Sequence, residues 1–265
     1  MFIDFHTHIF PDNKAAAIIH DMTCRGNIQQ FSDGTLSGLL DSMNQSGIGL
    51  SLISRITTQP DKVDSVNKWL LNCAGPNVMP MASVHPDLPV TASDLETLKS
   101  KGFKGVKLHP DYQDFFVDDP RMYPFYDAAQ QVQMPVLIHA GLDRGLPPPV
   151  HAMPDGLLKV HRQFPKMIMV AAHMGGEDNY DETEALLLGE DIYLDTSYIL
   201  RVMPPEILKR FVRKHPVERI LFGSDSPFRS PAVELKYLLN LPILSDAQKE
   251  KVAGGNATTL LNLRV

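Results

Sequence analysis

His6 and His8 stand two positions apart in a short apolar run near the start of the chain. On a strand, side chains alternate between faces, so both imidazoles point the same way, about 7 Å apart, and can converge on one metal ion. Two satisfied, partly exposed histidines would show the same spacing, so the pair alone decides nothing. Three further residues add weight. His139 closes the run Pro135-Val136-Leu137-Ile138, His173 closes Val170-Ala171-Ala172, and Asp225 closes Leu221-Phe222-Gly223-Ser224. Neutral imidazole nitrogens with one carboxylate suit zinc or another borderline divalent ion. No G-x-S-x-G elbow supplies a serine nucleophile, and Cys24 has no base partner visible in the sequence. The expected chemistry is that of one bound divalent metal, zinc by preference.

These residues need elements that bring their strand ends together. Short apolar runs recur at 2–9, 48–54, 78–84, 105–109, 135–140, 167–173, 192–196 and 220–224, each too brief for an ordinary helix and closed by turn residues or a polar cluster. Between them apolar residues fall at helical spacing, as in Leu36, Leu39, Leu40 and Met43, or Ile207, Leu208, Phe211 and Val212. Gly47 and Gly102 are expected to stop two of these helices, and Pro165 and Pro216 to interrupt at the ends of two more. Alternating strands and helices imply parallel pairing through right-handed crossovers. Eight such units in 265 residues predict an α/β (β/α)8 TIM barrel, with its site at the carboxyl ends of the strands. The competing dinucleotide-binding open sheet wants a G-x-G-x-x-G turn after an early strand, and Thr7-His8-Ile9 stands there instead. No second-domain linker or internal repeat is visible, so residues 1–265 read as one domain.

Composition narrows the partners. With 43% hydrophobic residues the chain can bury a real core, which excludes a disordered protein. A net charge of -6 without a basic stripe argues against nucleic acid as a partner. No apolar run approaches the roughly 20 residues that span a bilayer. The amino terminus carries Asp4 where a secretory signal needs basic residues. Two cysteines, Cys24 and Cys73, do not make a disulfide framework, so a reducing cytoplasm is expected. The expected partner is a small-molecule substrate, with a homo-oligomer left open.

The motifs together resemble the amidohydrolase superfamily, in the amidohydrolase-related branch that includes aminocarboxymuconate-semialdehyde decarboxylase and related hydrolases, hydratases and lactonases. The resemblance spans nearly the whole chain. It is carried by Asp4-Phe5-His6-Thr7-His8, Gly105-Val106-Lys107-Leu108-His109-Pro110, Leu137-Ile138-His139, His173-Met174-Gly175-Gly176, Gly223-Ser224-Asp225-Ser226-Pro227 and the closing Gly255-Asn256-Ala257. It implies a metal bound by His6, His8, His139 and Asp225, with His173 beside it as an acid/base or polarising group. In binuclear relatives a carboxylated lysine on strand four bridges two ions, and His139 and His173 both bind the second. Lys107 is placed for that role, or is a plain ammonium paired with Asp4 or Asp195. The branch is typically mononuclear, so one ion is expected.

An arginine after strand two holds a substrate carboxylate in relatives of this branch, which singles out Arg55, and a guanidinium fork matches a carboxylate bidentately. Arg144 and Arg201 follow strands five and seven, while His109 and His85 are candidates to line the pocket, though a His-Pro dipeptide also simply ends a strand. The segment 11–32 reads as a long loop of the kind that forms lids and binding loops. The resemblance implies a metal-dependent hydrolase acting on a small, carboxylate-bearing substrate, with Asp225 and His173 catalytic and Arg55, His109 and Arg144 binding substrate. The alternative is non-oxidative decarboxylation of an aromatic or unsaturated acid on the same site. A nuclease is disfavoured, because such relatives carry a bridging carboxylate where Lys107 stands. A non-catalytic metal-binding barrel has no need of an acid/base aspartate.

Overall fold

A computed structural model of the chain describes residues 1–263. Its strands are β1 (Phe2–His8), β2 (Ile48–Ser54), β3 (Val78–Pro80), β4 (Ala82–Ser83), β5 (Val106–Leu108), β6 (Val136–Ile138), β7 (Met169–Ala171), β8 (Tyr193–Asp195) and β9 (Ile220–Leu221). All neighbouring pairs are parallel, in the orders β1-β2-β3 and β4 through β9. The third expected strand is divided in two. Pro80 is the last residue paired with β2, the Met81 N–H still donates to the Ile53 carbonyl (2.9 Å), and Ala82 then pairs with Val106. Both pieces occupy one position of the wall. The sheet closes where β9 runs on beside β1: the Phe5 N–H donates to the Phe222 carbonyl (2.8 Å), His8 N–H to Ser226 (2.7 Å), and Asp225 N–H to His6 (2.9 Å). Eight parallel positions joined edge to edge make the expected (β/α)8 barrel.

The outer layer is α1 (Asp12–Gly26), α2 (Leu36–Ser46), α3 (Val63–Asn72), α4 (Ala92–Ser100), α5 (Pro110–Gln113), α6 (Tyr123–Val132), α7 (Pro154–Gln163), α8 (Tyr180–Leu186), α9 (Pro205–Lys214), α10 (Pro231–Leu239), α11 (Asp246–Glu250) and α12 (Asn256–Leu260). Sequence-encoded caps bound several of them. Thr35 accepts the Gly38 N–H at the start of α2, Gly47 takes the left-handed cap at its end (φ 71°), and Thr91 with Asp94 forms a capping box on α4. The segment 11–32 departs from the expected loop, because α1 occupies most of it. Its apolar residues serve two surfaces: Ala15 and Ile19 are buried against the body of the protein, while Ala17, Ile18 and Met22 line the cavity above the barrel. The single apolar stripe by which an amphipathic helix is read is therefore blurred. Among the described residues no helix is long and apolar enough to cross a membrane, and Cys24 and Cys73 are both free thiols.

Inside the barrel, Ile3, Phe5, Leu50, Leu52, Met81, Leu137, Val170 and Leu221 form one buried cluster, closed from below by Ala257 of α12 with Leu260, Leu261 and Leu263 packed against it. A second, larger cluster lies between the barrel and its helices. The β1–β2 register slips between Asp4 and Thr7, a bulge. It allows Ile3 and Phe5 to belong to the apolar floor while His6 and His8, one residue out of step with them, reach the mouth.

Candidate metal centre

The carboxyl ends of the strands open into a cavity of about 500 Å³ that contains His6, His8, Lys107, His109, His139, His173 and Asp225. His6 and His8 sit with their Nε2 atoms 3.1 Å apart, and Asp225 Oδ1 lies 3.6 Å from the first and 3.1 Å from the second. Donors bound to zinc at 2.0 to 2.2 Å lie roughly 2.8 to 3.6 Å from one another at angles between octahedral and tetrahedral. The three separations fall in that window. The residues present fit a divalent ion.

Neighbours orient these donors. His6 Nδ1 faces Asp195 Oδ2 at 2.8 Å, so its proton sits on Nδ1 and its Nε2 presents a lone pair, which accepts from Lys107 Nζ until an ion takes its place. Ser54 donates its hydroxyl to the Thr7 carbonyl and accepts from His8 Nδ1 at 3.2 Å, which leaves His8 Nε2 to face Asp225 through an ion or a proton. Burial, then the charge of Lys107, lower the pKa of His6 to about 4 and keep the ring neutral. Burial alone would raise Asp225, but in the metal-free protein a proton on His8 Nε2, donated to Asp225 Oδ1, outweighs it and holds the carboxyl below the usual carboxylate range. The backbone here is also constrained: His173, Met174, Tyr198 and Asp225 take φ of 55°, 53°, 65° and 68°. Such left-handed conformations cost on the order of 1 kcal/mol or more each away from glycine. They are held by bonds such as His173 N–H to Asp195 Oδ1 (3.1 Å) and Asp225 N–H to the His6 carbonyl.

His139 stands one ring away from this triad. Its Nδ1 is 3.0 Å from His173 Nε2, and its Nε2 is buried without a hydrogen-bond partner among the described residues. His109 stacks flat on it, ring centroids 3.9 Å apart and 11° from parallel. His109, His139 and Asp143 form a second group with ion-ligating spacing. His109 caps α5 by accepting the Tyr112 N–H on Nδ1 (3.4 Å), so its own proton is on Nε2 and is donated to Asp143 Oδ2 at 3.2 Å.

Lys107 is wholly buried and pairs with neither expected carboxylate. Its Nζ donates to His6 Nε2 at 2.9 Å, while Asp195 is engaged by His6 and Asp4 Oδ1 accepts the Ser224 N–H at 2.9 Å. Burial draws its pKa down to about 8, with the charges of Asp195 and Asp225 opposing the fall.

Of the arginines, Arg55 lines the cavity with its guanidinium 5.5 Å from the Trp69 ring centroid, and its buried Nη1 has no partner among the described residues. Arg144 also lines the cavity but is held by Glu177 (2.6 Å) and Asp178 (3.3 Å). Gly141 permits that arrangement. It takes φ of 81° against the Glu177 backbone, where any Cβ would collide with Glu177 N and O. Arg201 lies outside the cavity and pairs with Glu234 at 3.6 Å, and His85 lines a separate cavity of about 180 Å³ with Asp87 and Arg121. Cys24 does have a neighbour the sequence did not disclose, His20 one turn earlier at 3.8 Å, though the thiol is exposed and outside the cavity.

Several site residues escaped the sequence reading. Asp195 enters the sequence reading only as a partner for Lys107, although its place at the end of the 192–196 run, next to Thr196, was a signal for the site. Ser197, Tyr198, Glu177 and Phe228 had none.

A sequence profile described as Amidohydrolase matches residues 3–263. Among solved structures, the chain is similar to 5-carboxyvanillate decarboxylase from Sphingomonas paucimobilis (TM-score 0.70, 14% identity, 99% of this chain and 99% of that one). It is also similar to a dihydroxybenzoic acid decarboxylase from Polaromonas sp. JS666 with bound manganese and the inhibitor 2-nitroresorcinol (TM-score 0.72, 17% identity, 100% and 98%). A third is a probable 2-pyrone-4,6-dicarboxylic acid hydrolase from Acinetobacter baumannii with citric acid bound (TM-score 0.69, 17% identity, 99% and 99%). At these identities the likeness is one of fold. The profile match over nearly the whole length, on a closed parallel barrel with histidines and an aspartate at its strand ends, assigns the chain to the amidohydrolase family of enzymes.

Proposed function

We propose that this protein is a divalent-metal-dependent hydrolase of small, carboxylate-bearing substrates, acting as one barrel domain over residues 1–265 in a reducing compartment such as the cytoplasm. The observation that carries the reading is the convergence of His6, His8 and Asp225 in the same cavity that contains Arg55, a cation with a buried, unpartnered nitrogen. The unpartnered Nε2 of His139 is the donor available as a fourth ligand. Zinc suits this imidazole-rich set, and manganese is the ion to compare. When bound, the ion supplies Lewis acidity, polarising a carbonyl and making water acidic. Asp225, held ionised, accepts the proton of an attacking water and returns it to the leaving group. His173 stands beside the triad, its ring centroid 5.3 Å from that of His6, to take up a proton on Nε2 and, once protonated, to stabilise the developing negative charge. Arg55 grips the substrate carboxylate bidentately.

One observation favours a second reading. The cavity wall formed by Phe10, Ile18, Met22, Ile28, Ile56 and Phe228 is apolar, which suits an aromatic acid and hence non-oxidative decarboxylation. One ion per chain is proposed in either case, because an unmodified Lys107 offers no oxygen to bridge two ions; its Nζ gives up His6 Nε2 when the one ion binds.

The test is reconstitution with zinc or manganese, ion counting, and assay against lactones, esters and amides for hydrolysis and against aromatic acids for released carbon dioxide. Hydrolysis with one ion per chain supports the first reading, and carbon dioxide release the second. Two ions, one lost in Lys107→Met, would instead make Lys107 a bridging carbamate and His173 a ligand. Full metal loading with neither activity would overturn the enzymatic reading for these substrates.

A further inference from the structure

The residue two beyond Asp195 is wholly buried and has no place in the chemistry proposed above, yet its hydroxyl touches both working histidines. Ser197 Oγ lies 2.8 Å from His6 Nδ1 and 3.0 Å from His173 Nδ1, and its own proton goes to Asp195 Oδ1. A hydroxyl has one proton to donate. With that proton committed to an ionised carboxylate, only lone pairs remain to face the two imidazoles, and both rings must present N–H there. The other neighbours agree. His6 Nδ1 also faces Asp195 Oδ2, and His173 Nδ1 also faces the Ser197 carbonyl at 3.0 Å, both acceptors only. His6 and His173 are thereby held in the same tautomer, with both Nε2 lone pairs turned away from Ser197. The consequence runs one ring further. His173 Nε2, now an acceptor, takes the proton of His139 Nδ1 at 3.0 Å, which is why His139 Nε2 is the nitrogen left bare.

We infer that Ser197 is a positioning residue that sets the tautomer and ring orientation of His6 and His173 together, coupling metal affinity at the first to proton handling at the second. Asp195 anchors the arrangement from the end of β8, and the left-handed turn at Tyr198, whose N–H donates to the Ser224 carbonyl at 3.3 Å, holds Ser197 facing inward. The link to affinity rests on the metal reading of the triad. The tautomers do not, and are measured without metal. Partners of this kind behind a metal ligand typically change affinity by 10- to 100-fold.

The test is long-range ¹⁵N–¹H correlation of the histidine rings in metal-free protein, with zinc affinity by chelator competition, on the wild type, Ser197→Ala and Ser197→Thr. The wild type should show His6 and His173 both protonated on Nδ1. Ser197→Ala should perturb both rings and weaken zinc binding at least tenfold, and Ser197→Thr, which restores the hydroxyl, should recover both readouts. Nε2-protonated rings in the wild type overturn the inference even if the variants do not fold. Unchanged rings and unchanged affinity in folded Ser197→Ala reduce Ser197 to packing and also overturn it. Expected tautomers in a wild type that binds no zinc would uphold the positioning role and refute the metal reading instead.

Discussion

Arg55 is the cavity-lining arginine without a carboxylate partner among the described residues: Arg25 is tied to Asp21 at 2.8 Å and Arg144 to Glu177. A buried guanidinium nitrogen without a partner costs free energy that a substrate carboxylate would recover. Arg55→Lys keeps the charge and loses the fork, so binding of an acidic substrate should weaken by about 1 to 3 kcal/mol while turnover changes less. Steady-state kinetics on an identified acid checks this, and an unaltered KM removes Arg55 from recognition. Asp225 is argued to be both ligand and proton carrier. Asp225→Asn preserves size but removes the charge and the base, so zinc affinity should fall and turnover drop by roughly 10²- to 10⁴-fold even at saturating metal. Turnover that zinc restores in full would leave Asp225 a ligand and nothing more.

Helix α1 is the element that most changes the picture drawn from the sequence. Laid across the mouth from β1, it contributes Ala17, Ile18, Asp21, Met22 and Arg25 to the cavity wall, and the Arg25 guanidinium reaches the Tyr112 ring at 5.8 Å. The helix is anchored by Ala15 and Ile19 on its buried side, so a change at the exposed Ala17 leaves its seat intact. Ala17→Trp should fill part of the cavity, lowering kcat/KM for aromatic acids at least tenfold while zinc affinity and unfolding temperature stay near the wild type. Equal losses for large and small substrates would mean that α1 does not shape the pocket.

Across the whole molecule, one buried histidine far from the cavity ties stability to pH. His215 accepts the Gly189 N–H on Nδ1 (3.2 Å) and donates from Nε2 to the Ile192 carbonyl (3.1 Å), bracing the end of α9 against the strand entering β8. Burial, with the Arg219 charge and against the Ile192 hydrogen bond, lowers its pKa from 6.5 to about 4. Between those values the unfolded chain binds the proton that the folded chain refuses. The stabilisation is therefore full above pH 6.5 and is lost as pH falls toward 4, by about 3 kcal/mol in all. His215→Gln lacks the titration. Its deficit relative to the wild type, measured by denaturant unfolding, should shrink by about that amount between pH 7 and pH 4, whereas a constant deficit would contradict the assignment.

Much of this protein follows from its sequence. Strand positions, barrel class and the strand-end placement of His6, His8, His139, His173 and Asp225 are local matters, since apolar runs of strand length and their closing polar residues are written in consecutive positions. The family motifs are local as well. What the tertiary structure decided is which of those groups meet. Barrel closure between the first and last strands brings Asp225 to His6 and His8, while His139 is carried to His173 and His109 instead. The bulge in β1 re-aims the histidines against their own strand's apolar floor. Asp195 and Ser197 reach His6 from more than 180 residues along the chain. Lys107 meets an imidazole rather than a carboxylate, although Asp4 Oδ2 is left buried without a partner among the described residues. Distances and proton positions of this kind depend on how eight strand ends are clamped against one another, and no stretch of sequence contains that relation.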